Sequence, residues 1–431
     1  MATLLKTPAA WPRILLAHAD AKNPTDLDAA VAAGAFEGLR RSVRDLGGTA
    51  TIATIAASGL RGRGGAGFPT GEKWRTAANT DADRRYVVAN GYGADPASHT
   101  DRTLLQLDPF AVIEGAAIAA FAIGATEAFI AVRAEDSEVV ARLNTAIGFA
   151  TDAGFLGSDV LGSGRDLWMS VRPVQGAYML GEETVLLKAL EGKRGQPEQR
   201  PPHPATVGLY DRPTVVNNVQ TLAAVPWIVR EGADAFRAIG STEAPGTVLV
   251  QVRTPGKDGV AEVPLGTPLR DIVKLGGRLA ADRSLQAVLI GGPSGGLLPP
   301  EALDTPYDFA SLRAAGAHVG SGSLVAVDDR TDLLELVGVL TRFCSNEACG
   351  KSIPCRIGTK RLAEIVSRRE AGLLRPIDAQ LAGDLAYDIV ESALCDHERL
   401  ATLPITSVMR YFESSFDPAS RPRPLATEAA R

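Results

Sequence analysis

Thirteen consecutive residues, Gly62-Arg63-Gly64-Gly65-Ala66-Gly67-Phe68-Pro69-Thr70-Gly71-Glu72-Lys73-Trp74, carry five glycines, an arginine and a lysine. Glycines let a backbone approach a ligand closely and turn its N–H groups outward, and the cations add positive charge. The chemistry this stretch can do is to cradle a phosphate. Gly62, Gly64 and Gly67 fit G-x-G-x-x-G. The dinucleotide-binding form of that motif follows a strand, whereas 51–60 reads as a short helix and a turn, so the motif alone leaves a ligand-free surface loop as the alternative.

Three other groups have side chains suited to binding. Glu182 and Glu183 fall at or near a helix start, where they either offset the helix dipole or face a bound ring system and its sugar hydroxyls. Asn217 and Asn218 pair two amides, each both donor and acceptor, which either serve a ligand or stitch a turn. Cys344, Cys349, Cys355 and Cys395 all lie beyond residue 340, a clustering that suggests a metal site rather than the dispersed framework of a disulfide-rich fold. The five histidines, His18, His99, His203, His318 and His397, show no ligand spacing and read as packing or surface residues. No G-x-S-x-G or H-E-x-x-H motif supports a hydrolase.

A chain of 431 residues needs two or three domains to position these groups. The formal charge of −5, with both signs interspersed, supplies no basic field for nucleic acid. The most apolar run, 115–126, stops at Glu127, short of a bilayer span, and reads as a buried helix without direct membrane insertion. Before Pro8 the N-terminus carries only Lys6, with no export signal, which points to a cytoplasmic protein.

Along the chain, 25–39 reads as one helical face, 85–90 as a buried strand ending in Gly91-Tyr92-Gly93-Ala94-Asp95-Pro96, 113–123 as a helix and 128–132 as a strand. This alternation is that of an α/β fold with a parallel sheet. A strand at 168–171, a helix at 185–191 and a Pro-rich loop at 196–213 follow. From about residue 246 short strands dominate, with a second glycine run, Gly291–Gly296, read as a tight turn; from 331 the pattern is helical.

Taken together, 59–71, Gly176-Ala177-Tyr178 with Gly181-Glu182-Glu183-Thr184, Pro213 with Asn217-Asn218, and Cys349-Gly350-Lys351 with Pro354-Cys355-Arg356 resemble the NADH-binding flavoprotein subunit of respiratory complex I, NAD-reducing hydrogenases and NAD-linked formate or aldehyde oxidoreductases. The resemblance covers Asp26 to Phe412. It implies a Rossmann-like flavin and NAD domain (1–240), a ubiquitin-like β-grasp module (241–330), a helical bundle with the cysteines (331–415) and a tail (416–431). It places Gly62, Arg63, Gly64, Gly65, Ala66 and Gly67 around the flavin phosphate and ribityl chain with Lys73 beside them. Asn90, Tyr178, Gly181, Glu182, Glu183, Val216, Asn217 and Asn218 complete the flavin site, and Phe68 stacks on the NAD adenine.

Departures from the family pattern are specific. Where the family has Asn-x-Asp-Glu-x-Glu-Pro-Gly this chain has Asn90-Gly91-Tyr92-Gly93-Ala94-Asp95-Pro96-Ala97, so two carboxylates are gone, and Tyr92 and Asp95 stand at the expected ligand positions. Two adenine-slot aromatics become Thr76 and His203. The flavin is the family's usual FMN or an FAD. C-x-x-C-x-x-C becomes Cys349-x-x-Ser352-x-x-Cys355, with Cys395 following. Three thiolates are present for a [4Fe-4S] cluster, with Cys344 or Ser352 as the fourth ligand or the cluster lost.

The implied function is hydride exchange between NAD(H) and flavin, and single-electron exchange with an iron-sulfur partner subunit. No preceding stretch can hold the family's thioredoxin-like domain, so partners are expected to bring further clusters and to oxidise formate, an aldehyde or hydrogen, with a tungsten or molybdenum subunit oxidising aldehyde or formate favoured over complex I. The alternative is a docking subunit that keeps the fold without its cofactors.

Overall fold

The computed structural model describes residues 3–277 and 281–413. Strands β1 (Tyr86–Gly91), β2 (Glu127–Arg133), β3 (Trp168–Val174) and β4 (Thr214–Asn218) form a parallel sheet in the order β3-β2-β1-β4. Alternation along the strands divides their side chains between two cores. Val87, Ala89, Ala128 and Ile130 join the helices Gly47–Ala57, Thr70–Asn79, Pro109–Ile123 and Val219–Glu231 on one face, while Tyr86, Val88, Phe129 and Ala131 meet helix Glu183–Leu190 on the other. Both faces are thus covered, as a parallel sheet requires. Strand order reverses between β1 and β4, and ligands of open α/β sheets bind beyond the carboxyl ends of the strands at such a point.

Helix Pro109–Ile123 accounts for the apolar run. Asp108 caps it on the Ala111 N–H at 3.1 Å, and every residue but Ala111 and Phe121 is buried. Gly115 is required where helix Val219–Glu231 crosses, because a Cβ there would lie 1.9 Å from the Leu222 carbonyl oxygen. The same helix carries Glu114, whose carboxylate accepts the Phe36 and Leu39 N–H groups at 2.7 and 3.0 Å. This contact overturns the single helix expected over 25–39. The chain forms Leu27–Ala32, turns through Gly34 (φ +100°) and Phe36 (φ +64°), and resumes at Glu37–Arg41.

Burial pushes Glu114 up to about 7 from an ordinary 4.5, against the two N–H bonds that lower it. A raised carboxyl value means that the folded state keeps a proton the unfolded chain releases, so this contribution to stability declines as pH rises from about 4.5 through about 7. Glu114→Gln removes that slope. The stability gap between wild type and variant, from urea unfolding, is expected to narrow between pH 5 and pH 8; a constant gap would rule this out.

A second sheet contains β5 (Thr247–Thr254), β6 (Lys257–Pro264), β7 (Leu285–Ile290), β8 (Gly296–Leu298) and β9 (Ser323–Asp328) in the order β6-β5-β9-β7-β8. Only β5 and β9 pair in parallel. Val248, Val250, Val288 and Ile290 pack with helix Leu269–Leu275, and Ala287, Leu289 and Val327 pack with the helices Leu333–Asn346, Ile353–Glu370, Asp378–Glu391 and Leu403–Tyr411. The N-terminal segment is fastened to this sheet by buried Glu262, which accepts the N–H groups of Ile14, Leu15 and Leu16 at 2.7, 2.9 and 2.9 Å. No single described helix is long and apolar enough to cross a membrane; the one pair that reaches the length together is bent by 97°.

Candidate functional site

The glycine loop closes on itself beside the β1/β4 switch point. Gly62 N–H donates to the Phe68 carbonyl and Thr70 N–H to the Leu60 carbonyl, both at 2.9 Å, so 63–67 are held as an arch that leads into helix Thr70–Asn79. Gly65 (φ +104°) and Gly67 (φ +65°) adopt left-handed backbone, and a Cβ on Gly67 would meet Phe309 Cδ1 at 2.7 Å. Among the described residues, the N–H groups of Gly64, Gly65, Ala66, Gly67 and Phe68 have no protein partner. Five consecutive free donors in front of a helix N-terminus make a cradle for an anion. Gly64 lies over β4, with Asn218 Cβ 3.4 Å from where its own Cβ would be.

Helix Thr70–Asn79 ties the cradle to the strand ends. Lys73 Nζ donates to Glu183 Oε2 at 2.8 Å and to the Val216 carbonyl at 2.9 Å, and lies 5.9 Å from the centroid of Phe68, which is 52% exposed. Trp74, fully buried, donates from Nε1 to Asn217 Oδ1 at 2.9 Å. Asn218 caps helix Val219–Glu231 by accepting the Gln220 N–H at 2.8 Å and donates to Asp101 Oδ2 at 2.7 Å. Asp101 also accepts from Gln220 Nε2 at 2.7 Å, and burial pushes its carboxyl up to about 6.

The two glutamates divide their work. Glu182 caps helix Glu183–Leu190, accepting the Thr184 and Val185 N–H groups at 2.8 and 2.9 Å, which is the dipole-offsetting role. For Glu183, burial would raise the carboxyl, but Lys73 and Arg200 outweigh it and hold it below the ordinary value. Asn90 Nδ2 donates to the Gly181 carbonyl at 3.1 Å, and Tyr178 shares a hydrogen bond of 3.0 Å with Ser294.

In the C-terminal helices Cys344, Cys355 and Cys395 are buried and Cys349 is partly so; all four are free thiols. Burial pushes Cys355 up to about 12, with Glu398, Cys395, Cys349 and Cys344 raising it further. Cys395 stands at the start of helix Asp396–Leu400 without capping it. Ser352 begins helix Ile353–Glu370 without capping it. Among the described residues no three of His, Cys, Asp or Glu converge as the ligands of one metal ion. Thiols gathered this way suit a multinuclear cluster, in which each ligand holds a different iron.

Residues 55–227 match the Nuo51 FMN-binding domain, and residues 335–419 match the NADH-ubiquinone oxidoreductase-F iron-sulfur binding region. The HndC subunit of the NADP-reducing hydrogenase of Solidesulfovibrio fructosivorans is 38% identical over 92% of this chain and 81% of its own. The F subunit of the NADH-quinone oxidoreductase of Streptomyces coelicolor is 41% identical over 89% and 85%. The chain belongs to the NuoF family of NADH-quinone oxidoreductase subunits. The fold agrees: a chain of an NAD+-reducing [NiFe]-hydrogenase superposes with a TM-score of 0.83 at 30% identity, covering 98% of this chain and 69% of that one. The activity is of the NADH dehydrogenase type, and the family domains are those for FMN, NADH and a 4Fe-4S cluster.

Set against the NuoF pattern, three expected ligands do not present side chains to the crevice. Arg63, 1% exposed, donates to the carbonyls of Thr247, Arg61 and Pro245, and its own N–H goes to Thr221 Oγ1, so it anchors the loop to the second sheet. Tyr92, also 1% exposed, drops into the core beneath β1, where Arg133 lies over its ring at 4.7 Å and its hydroxyl donates to the Gly176 carbonyl at 2.5 Å. A ring of that size is driven off the surface by its apolar area. Asp95 turns to the second sheet, accepting from Ser321 and from the Ala97 N–H at 2.7 Å. Thr76 bonds back to its own helix at the Glu72 carbonyl, leaving Phe68 as the exposed aromatic beside the loop.

Tyr92→Phe is therefore expected to lower unfolding stability by about 1–2 kcal/mol, the worth of one buried hydrogen bond, while flavin content stays unchanged. A loss of flavin in that variant would return Tyr92 to the site. Sequence reasoning missed Trp74, Asp101, Gln220, Thr221 and Ser294. The first four could have been sought beside the motifs they support; Ser294 lay inside the run taken for a simple turn.

Proposed function

We infer that this subunit holds FMN in the cradle, exchanges hydride between it and NAD(H) packed against Phe68, and passes single electrons through the cysteine region to iron-sulfur partner subunits of a larger enzyme. The observation that carries this is the row of five unpartnered N–H groups above Asn218 at the switch point. Bound FMN supplies the hydride-accepting ring and the conversion from two-electron to one-electron transfer. The chain's own residues do the rest. The free amides and Lys73 meet the phosphate end, Glu183 balances Lys73, Asn217 and Asn218 are oriented by Trp74 and Asp101, and Tyr178 is fixed by Ser294. Metal-bound iron-sulfur chemistry needs reduced thiols, which supports a cytoplasmic setting.

Separate cores on the four-stranded and five-stranded sheets support a division into a flavin and NAD domain (1–240), a β-grasp module (241–330) and a helical bundle (331–415), the bundle sharing its core with Ala287, Leu289, Leu297 and Val327 of the second sheet, while the tail at 416–431 lies outside the described residues. The departures at Tyr92-Gly93 and Ser352 motivate a tungsten or molybdenum partner that oxidises aldehyde or formate; the similar proteins named above belong to hydrogenases and quinone oxidoreductases. Affinity purification of the tagged subunit from its native host, with metal analysis of what co-purifies, separates these.

An anaerobic absorption spectrum before and after NADH tests the central reading. Bleaching of the flavin band supports it. Protein that stays colourless after FMN is supplied would instead indicate a docking subunit without its cofactors.

A further inference from the structure

The buried imidazole of His397 has a ring nitrogen with no partner. Its Nε2 lies 3.0 Å from the Cys344 carbonyl oxygen, while Nδ1 is buried without any hydrogen-bond partner, in a side chain that is 8% exposed. A carbonyl only accepts, so Nε2 carries the proton and Nδ1 is left as a bare lone pair. Leaving such a buried atom unsatisfied costs free energy, and an absent ion is one of the few explanations for it. The arrangement is that of a metal-ligating histidine, in which the non-ligating nitrogen donates to a backbone carbonyl that fixes tautomer and ring orientation.

The surroundings supply the metal-binding context. His397 follows Cys395 by two residues in helix Asp396–Leu400, Cys395 and Cys349 pack in one cluster, and Cys355 is close enough to feel Cys395, Cys349 and Cys344. The family's fourth thiolate is missing at Ser352. Cys344 is occupied otherwise, its thiol directed to the Pro293 carbonyl at 3.5 Å. Resting on the reading that this region holds an iron-sulfur cluster, we propose that His397 Nδ1 is the fourth ligand, giving a cluster bound by Cys349, Cys355, Cys395 and one histidine. Each thiol loses its proton on binding iron, whereas the imidazole donates a neutral lone pair and releases none. The site is then one negative charge poorer than with four thiolates, which raises the reduction potential, as histidine does in two-iron centres of mixed ligation.

The test is iron analysis and pulsed electron-nuclear double resonance of the dithionite-reduced full-length subunit, in wild type, His397→Ala, His397→Cys and Ser352→Ala, with flavin content as the control for folding. Wild type and Ser352→Ala are expected to show the coupling of a directly bound nitrogen. His397→Ala should lose it along with most of the iron, and His397→Cys should keep the iron, lose the coupling and shift to a lower potential. Iron present in wild type without directly bound nitrogen, or coupling retained in His397→Ala, overturns the ligand assignment alone. Wild type without iron overturns the cluster reading itself.

Discussion

Gly65→Val is expected to leave the purified subunit essentially colourless, with flavin occupancy reduced at least tenfold. Gly65 sits at φ +104°, and a Cβ there would meet the Gly320 backbone at 3.1–3.3 Å. A β-branched residue in that conformation costs about 1–3 kcal/mol, and the loop relieves the strain only by rotating the peptides whose N–H groups have no protein partner. Gly64→Ala is the reference. Its Cβ would make an ordinary contact, 3.4 Å from Asn218 Cβ, and its backbone is not left-handed. Flavin content from the absorbance ratio, with far-ultraviolet circular dichroism to confirm folding, reads the outcome. Stoichiometric flavin in Gly65→Val would remove the loop from the site.

Lys73→Met is expected to weaken FMN binding by about tenfold or more and to destabilise the flavin-free protein by roughly 1–2 kcal/mol. Breaking a fully buried ion pair costs about 3–5 kcal/mol, but here both side chains keep about a fifth of their exposure and Arg200 remains 3.3 Å from Glu183. The pH dependence has a definite sign. Glu183 is held below its ordinary 4.5, so the stability it contributes is present at neutral pH and lost as pH falls through its folded value. The deficit of the variant should accordingly be greatest near pH 7 and shrink toward pH 4. Flavin titration of the apoprotein and urea unfolding at both pH values measure the two effects separately; an unchanged FMN affinity would exclude Lys73 from the phosphate end.

Readability in the sequence followed the range of the interactions. The strands β1, β2 and β3, the buried helix over 109–123 and the strand-rich texture after residue 246 were expressed in local alternation and apolar runs, and the structure places them there. The cradle was readable because left-handed backbone at Gly65 and Gly67 is a property of glycine itself. The direction of Tyr92 was not. Past the end of a strand no periodicity says which way a side chain points, and its fate is set by the Gly176 carbonyl, 84 residues away. Arg63 looked like a phosphate ligand because its charge is visible in sequence, whereas the carbonyls of Pro245 and Thr247 that absorb it are not. The break in 25–39 likewise depends on a carboxylate 78 residues away from Phe36.

The turn after β7 joins parts of the chain that the sequence keeps far apart. A Cβ on Gly292 would lie 2.3 Å from Asp95 Oδ2, the Pro293 carbonyl receives the Cys344 thiol, and Ser294 meets both Tyr178 and His318. For a modular enzyme lineage this limits recombination. Exchanging the five-stranded unit with that of a relative at 241 and 330 would sever contacts to residues inherited from both flanking blocks, so viable crossovers must carry Asp95, Tyr178 and Cys344 from the same parent as the turn.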